Sequence, residues 1–160
     1  MRYLAIVLIF FFSNHVQSDQ LKLFTSDGCS LFPDGTYLEN QLWLSCCVKH
    51  DLAYWMGGTR DRRKQADDEL RQCVQDKDKT FLAKLMHNGV RVGGTPYLPT
   101  HFRWAYGWPI FRGYRVQNDD ERQIIKQTLQ QSKTEFMSRS DPIALEAIKV
   151  LDSFLSQQKF

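Results

Sequence analysis

Cys46 and Cys47 stand side by side in a chain with four cysteines, and this pair constrains the fold more than any other feature. Neighbours on a helix point about 100° apart, which disfavours a bond between them. In an oxidising compartment each therefore reaches elsewhere, one to Cys29 and the other to Cys73. Two distant segments are then stapled to one point of one helix. The amino terminus supplies the reason to expect such a compartment. It reads MRYLAIVLIFFFSNHVQSDQ, with Arg2 as a positive start and an unbroken apolar run from Leu4 to Phe12. Val16 and Ser18 suit the small-residue positions before a cut between Ser18 and Asp19. Residues 1–18 are read as a secretory signal peptide rather than a buried first helix. The apolar run is shorter than the roughly 20 residues that span a bilayer. No later stretch is long or apolar enough, so the mature chain is expected to carry no transmembrane segment and to be secreted, into a periplasm or outside the cell.

Residues 19–160 suit one domain. An aromatic share of 13% provides core material, and a net charge of +3 is too small to call for a nucleic-acid partner. Apolar spacing predicts a helix over 37–56, closed by Gly57 and Gly58, and a second from the Thr59 cap to about Gln75. So short a connection makes the two helices antiparallel neighbours. Arg60, Arg62, Arg63 and Lys64 crowd the start of the second and are read as a solvated face, with attraction to anionic lipid as the competing reading. A short helix is expected over 80–87. Phe102, Trp104, Tyr106 and Trp108 alternate at period two, which predicts a strand or short β-hairpin. Their rings, with Phe111, Arg103 and Arg112, either pack on the helices or dock on a lipid headgroup layer. Helical spacing returns over 119–137, and Asp141 with Pro142 begins a last helix whose inner face is Ile148, Leu151 and Leu155. Ser138 to Ser140 is the nearest candidate for a boundary. The fold class is mainly α: two cross-linked antiparallel helices, a short hairpin and C-terminal helices.

The chemistry gathers around CCVKHDLAY, residues 46–54. With Cys46 taken as the partner of Cys73, one turn along the first helix reaches His50, and a similar distance back along the second reaches Asp67, Asp68 or Glu69. A carboxylate beside an imidazole makes a competent general base. Asp51 points about 100° away from His50, toward the loop GCSLFPDG that a Cys29–Cys47 bond would bring in. One carboxylate beside a carbonyl-rich loop is what a hard cation such as Ca²⁺ takes. A zinc site of Cys46, His50 and Cys73 would leave two exported cysteines unpaired. His87 and His101 have no partner that the sequence names.

The stretch CCVKHDLAY resembles the CCxxHDxxY signature of secreted phospholipase A2, and ADDELRQC resembles that family's second-helix segment, with an aspartate six positions before a cysteine. The likeness covers roughly residues 26–75. It implies Ca²⁺-dependent hydrolysis of the sn-2 ester of glycerophospholipids at a membrane surface that the protein touches peripherally. It selects Asp67 over its neighbours as the partner of His50, gives His50 the activation of water, and gives Tyr54 the support of the aspartate. It assigns Asp51 and the carbonyls of Gly28, Ser30 and Phe32 to the cation. An alternative from another class is a catalytically weak module that keeps the scaffold and binds lipid or a protein. Ser30, Leu31 and Phe32 stand where the family usually has glycines, Asp34 adds an acid to the loop, and Ala53 replaces a family cysteine.

Overall fold

The computed structural model describes residues 21–157. Five helices follow in order: α1 (Leu44–Met56), α2 (Arg60–Gln75), α3 (Thr80–Gly93), α4 (Asp119–Met137) and α5 (Pro142–Gln157). Helix α1 packs on α2 and on α5, α2 packs on α3, and α4 packs on α5. Residues 1–18, read above as a signal peptide, lie outside the described residues. Among the described residues no helix is long and apolar enough to cross a membrane.

Local chemistry explains the helix ends. Thr59 accepts a hydrogen bond from the Arg62 amide through its side chain and starts α2. Asn118 and Glu121 form a reciprocal capping box on α4. The Asp141 carboxylate accepts from the Ala144 amide at 3.0 Å, with Pro142 in the first turn of α5. Between α1 and α2 the chain turns through Gly57 at φ 70°, and a Cβ there would sit 2.5 Å from the Ala105 methyl.

Three expectations need correction. Helix α1 begins at Leu44, not at residue 37. Pro33, Asp34 and Gly35 set a loop that closes on itself instead: the Trp43 amide donates to the Asp34 carbonyl at 3.0 Å and the Trp43 indole to the Pro33 carbonyl at 2.6 Å. Tyr37 and Leu38 are left exposed. Helix α3 runs on to Gly93, packed along α2 with Ala83 and Met86 buried, although Gly89 and Gly93 lie within it. That packing outweighs the poor helix propensity of glycine.

The third correction is the hairpin: among the described residues there is no strand. The aromatic segment serves instead as a cap for the carboxy-terminal end of α1. A helix leaves its last four carbonyls without internal partners. Here Ala53 is taken by the Gly57 amide, Tyr54 by Ala105 at 2.7 Å and Trp55 by Gly107 at 3.3 Å. Met56 is taken by the Trp108 indole at 2.8 Å. Trp104 and Trp108 are therefore buried, and Arg103, also buried, ties the segment together through the carbonyls of Trp104, Ala105 and Trp108. Of the rings that alternate in sequence, Trp108 reaches the helix end, Trp104 donates to the Gly58 carbonyl just beyond it and Tyr106 to the Thr25 carbonyl.

Two apolar clusters result. The larger joins Phe24, Val48, Trp55, Trp104, Leu129 and Leu151, and so fastens α1 to α4, α5 and the capping segment. The smaller surrounds the cysteines with Trp43, Leu70, Val74, Ala83 and Met86.

Candidate functional site

Both cross-links follow the expected pairing, Cys46 with Cys73 and Cys29 with Cys47. The first sets the register of α1 against α2. Moving away from it, His50 meets Asp67 and Tyr54 meets both Asp67 and Arg63, so the numbering rises on one helix as it falls on the other. The helices are antiparallel.

Nε2 of His50 lies 2.9 Å from Oδ1 of Asp67, and the Tyr54 hydroxyl donates to the same oxygen at 2.7 Å. Asp67 has no exposed surface. Burial alone would raise its pKa, but hydrogen bonds from His50, Tyr54 and Arg91 outweigh it and hold the carboxyl below its ordinary range. A carboxylate can only accept, so Nε2 of His50 carries the proton and the free lone pair of the neutral ring is on Nδ1. The neighbouring acids go elsewhere: Asp68 pairs with Lys64, Arg71 and His87, and Glu69 accepts from Gln65. His87 thus has a partner, 3.2 Å away, that the sequence did not suggest.

The second cross-link lays the loop 26–34 against α1. Ser26 donates to Oδ2 of Asp51 at 2.6 Å, and the Gly28 amide donates to the Ser26 hydroxyl at 3.2 Å. Asp34 accepts from the Cys29 amide at 2.8 Å, which spends one of its oxygens on shaping the loop. Burial pushes the Asp51 carboxyl well above its ordinary range; the Ser26 hydrogen bond opposes this, and the charges of Asp27 and Asp34 add to it. Among the described residues no lysine or arginine pairs with Asp51. A half-buried acid with two further acids near it and no lysine or arginine partner suits a hard cation. Among the described residues there is no cluster of three or more His, Cys, Asp or Glu side chains suited to a metal. Such an ion would therefore need backbone oxygens as well, and Gly28, Ser30 and Phe32 line the same pocket as Asp51. Ser30 takes a left-handed φ of 52°, a conformation that glycine adopts without cost.

Between the loop and α3 opens a pocket of about 190 Å³, continuous with solvent. Its walls are mostly apolar, including Leu31, Phe32, Leu70, Met86, Val90 and Phe102, and His50, Asp51 and Tyr54 also line it. Apolar walls with a few convergent polar groups are the texture of a small-molecule site.

Sequence reasoning missed two participants. Arg63, expected on a solvated face, is buried and donates to the Tyr54 hydroxyl at 3.1 Å, the Tyr114 hydroxyl at 2.8 Å and the carbonyls of Val90 and Arg91 at 2.8 Å each. The signal was its place one turn before Asp67 on the same helix face. Arg91 donates from α3 to Oδ2 of Asp67 at 2.6 Å, and no local pattern marks it. Comparison of the chain with protein-family models, with curated proteins and with solved structures gave no match.

Proposed function

We propose that the protein is a secreted, Ca²⁺-dependent hydrolase of the sn-2 ester of glycerophospholipids, of the phospholipase A2 kind. The observation that carries this reading is the 2.9 Å contact with Asp67 of His50, which lines an apolar pocket beside the half-buried Asp51. The pocket's apolar walls suit an acyl chain and its polar side holds the pieces of a general base. With Asp67 fixing the Nε2–H tautomer, Nδ1 of His50 takes a proton from water as the water oxygen attacks the ester carbonyl. The same proton then passes from Nδ1 to the departing glycerol oxygen as the acyl C–O bond breaks. Positioned proton transfer of this sort is worth about 10²–10⁴-fold in rate. Asp51 and the carbonyls of Gly28, Ser30 and Phe32 would hold Ca²⁺, which when bound supplies positive charge for the ester oxygen as it becomes anionic.

Exposed apolar side chains support contact with a lipid surface. Phe81, Leu85 and Val92 share the solvent face of α3, next to the face that lines the pocket, and Leu31 projects from the loop opposite. Two disulfides suit an oxidising destination. A second reading, a lipid-binding module with weak catalysis, draws on Ser30, whose left-handed backbone is less easily held by serine than by glycine.

Fatty-acid release from phosphatidylcholine and phosphatidylglycerol vesicles separates the two. The hydrolase predicts release that a Ca²⁺ chelator abolishes and that His50→Ala lowers by at least a hundredfold. Release indifferent to both changes would reject the mechanism. Vesicle co-sedimentation without any release would favour the module.

A further inference from the structure

We propose that Arg91 is a positioning residue for the His50–Asp67 pair, holding from α3 the carboxylate oxygen that the histidine and tyrosine leave free. This deepens the hydrolase reading and rests on it. Oδ1 of Asp67 serves both His50 and Tyr54, so the plane of the carboxylate must be fixed for either contact to persist. Rotation about the side chain's last bond costs little unless the other oxygen is also held. Asp67 is wholly buried, so no solvent reaches Oδ2. Among the described residues, the hydrogen bond that Oδ2 receives comes from Nη1 of Arg91 at 2.6 Å.

Arg63 does not duplicate this contact. Its Nε is 3.9 Å from Oδ2, beyond hydrogen-bond reach, and its guanidinium is committed to two tyrosines and two carbonyls. Two of those acceptors are the carbonyls of Val90 and Arg91, so Arg63 fixes the turn of α3 from which Arg91 reaches back. The same turn gives the pocket Gly89, Val90 and Gly93, whereas Arg91 itself is not part of the pocket wall. Substrate wall and catalytic aspartate are thereby held by one piece of helix. A side chain outside the pocket that touches the aspartate acts on orientation rather than on substrate affinity.

The test compares wild type with Arg91→Ala, Arg91→Gln and Arg91→Lys in the vesicle assay with Ca²⁺, alongside thermal melts. Arg91→Ala is expected to lower kcat about tenfold to a hundredfold, by analogy with the outer-shell partners that orient metal ligands, with KM within twofold. Arg91→Lys should retain most of kcat, and millimolar guanidinium should restore part of it to Arg91→Ala. A change in KM with kcat intact would mean that Arg91 meets substrate, and would overturn the proposal. So would an Arg91→Lys variant that folds yet behaves as alanine and ignores guanidinium. Long-range ¹H–¹⁵N spectra of the His50 ring give a readout independent of turnover. The Nε2–H tautomer should dominate in wild type and mix with the other in Arg91→Ala. If wild type hydrolyses no phospholipid, the proposed function fails while this spectrum still decides Arg91, and an unchanged tautomer in Arg91→Ala would overturn it.

Discussion

The Tyr54 hydroxyl stands between two buried charges, donating to Asp67 and accepting from Arg63. Tyr54→Phe removes a group that has 2% of its surface exposed and leaves the Nε of Arg63 without its acceptor. Such a loss costs about 1–2 kcal/mol, which lowers the melting temperature by about 3–6 °C for a domain of this size. Calorimetry checks this, and an unchanged melt would show that water takes over both contacts. At Ser30 the sign reverses. The left-handed backbone costs an L-residue about 1 kcal/mol, partly repaid by the exposed contact with Asp27. Ser30→Gly is therefore expected to raise the melting temperature by about 1–2 °C and, on the proposed function, to tighten Ca²⁺ binding by isothermal titration. A weaker-binding glycine variant would show that serine is the better residue for the loop. At this scale the sequence was most legible where chemistry repeats along a helix: His50, Asp51, Tyr54 and Asp67 follow from spacing and resemblance. Arg91 was not legible, because its contact spans 24 residues and depends on where α3 ends.

Between elements, the cap on α1 connects to a second ionic group. Trp108 caps the Met56 carbonyl, the Arg112 guanidinium lies 3.7 Å over the Trp108 ring, and Arg112 and Arg115 both bind Glu121 in the first turn of α4. Burial would raise the Glu121 pKa, but the two arginines and the Asn118 amide draw it down to about 2 from 4.5. A carboxyl whose folded pKa is depressed contributes stability that is complete above the unfolded value and is lost as pH falls through the folded one. Glu121→Gln should thus cost about 2 kcal/mol at neutral pH, and its stability should converge on wild type between pH 4.5 and 2 in urea titrations. Parallel curves over that window would place the acid sensitivity elsewhere. The alternating rings read as strand because period two is the strand signal. Nothing local distinguishes a strand from a segment whose amides and indoles are spent on a helix end. The helix starts at Thr59, Asn118 and Asp141 were legible or consistent with their caps, since capping is local.

Across the whole molecule the two cross-links have separate tasks. The Cys46–Cys73 bond closes a separation of 27 residues and the Cys29–Cys47 bond one of 18. Chain entropy alone assigns each about 3–4 kcal/mol, so stability will not tell them apart. Position does. Cys46–Cys73 lies one turn from the His50–Asp67 contact, whereas Cys29–Cys47 anchors the loop that faces Asp51. In Cys29→Ser/Cys47→Ser the loop keeps only its hydrogen bonds, Ser26 to Asp51 among them, while α1 and α2 stay tied. Calcium at millimolar concentration is expected to raise the wild-type melting temperature by about 3–8 °C, the linkage expected at 10 to 100 times the dissociation constant. The double serine variant should lose that increment and keep the histidine tautomer, and Asp51→Asn should lose it without losing the loop. The reverse follows for Cys46→Ser/Cys73→Ser: a calcium response retained, and a tautomer mixed because the register that brings Asp67 to His50 is loosened. Melts with and without calcium, paired with the imidazole spectrum, resolve all four outcomes. If both cysteine variants lost both properties together, the staples would act only on global stability.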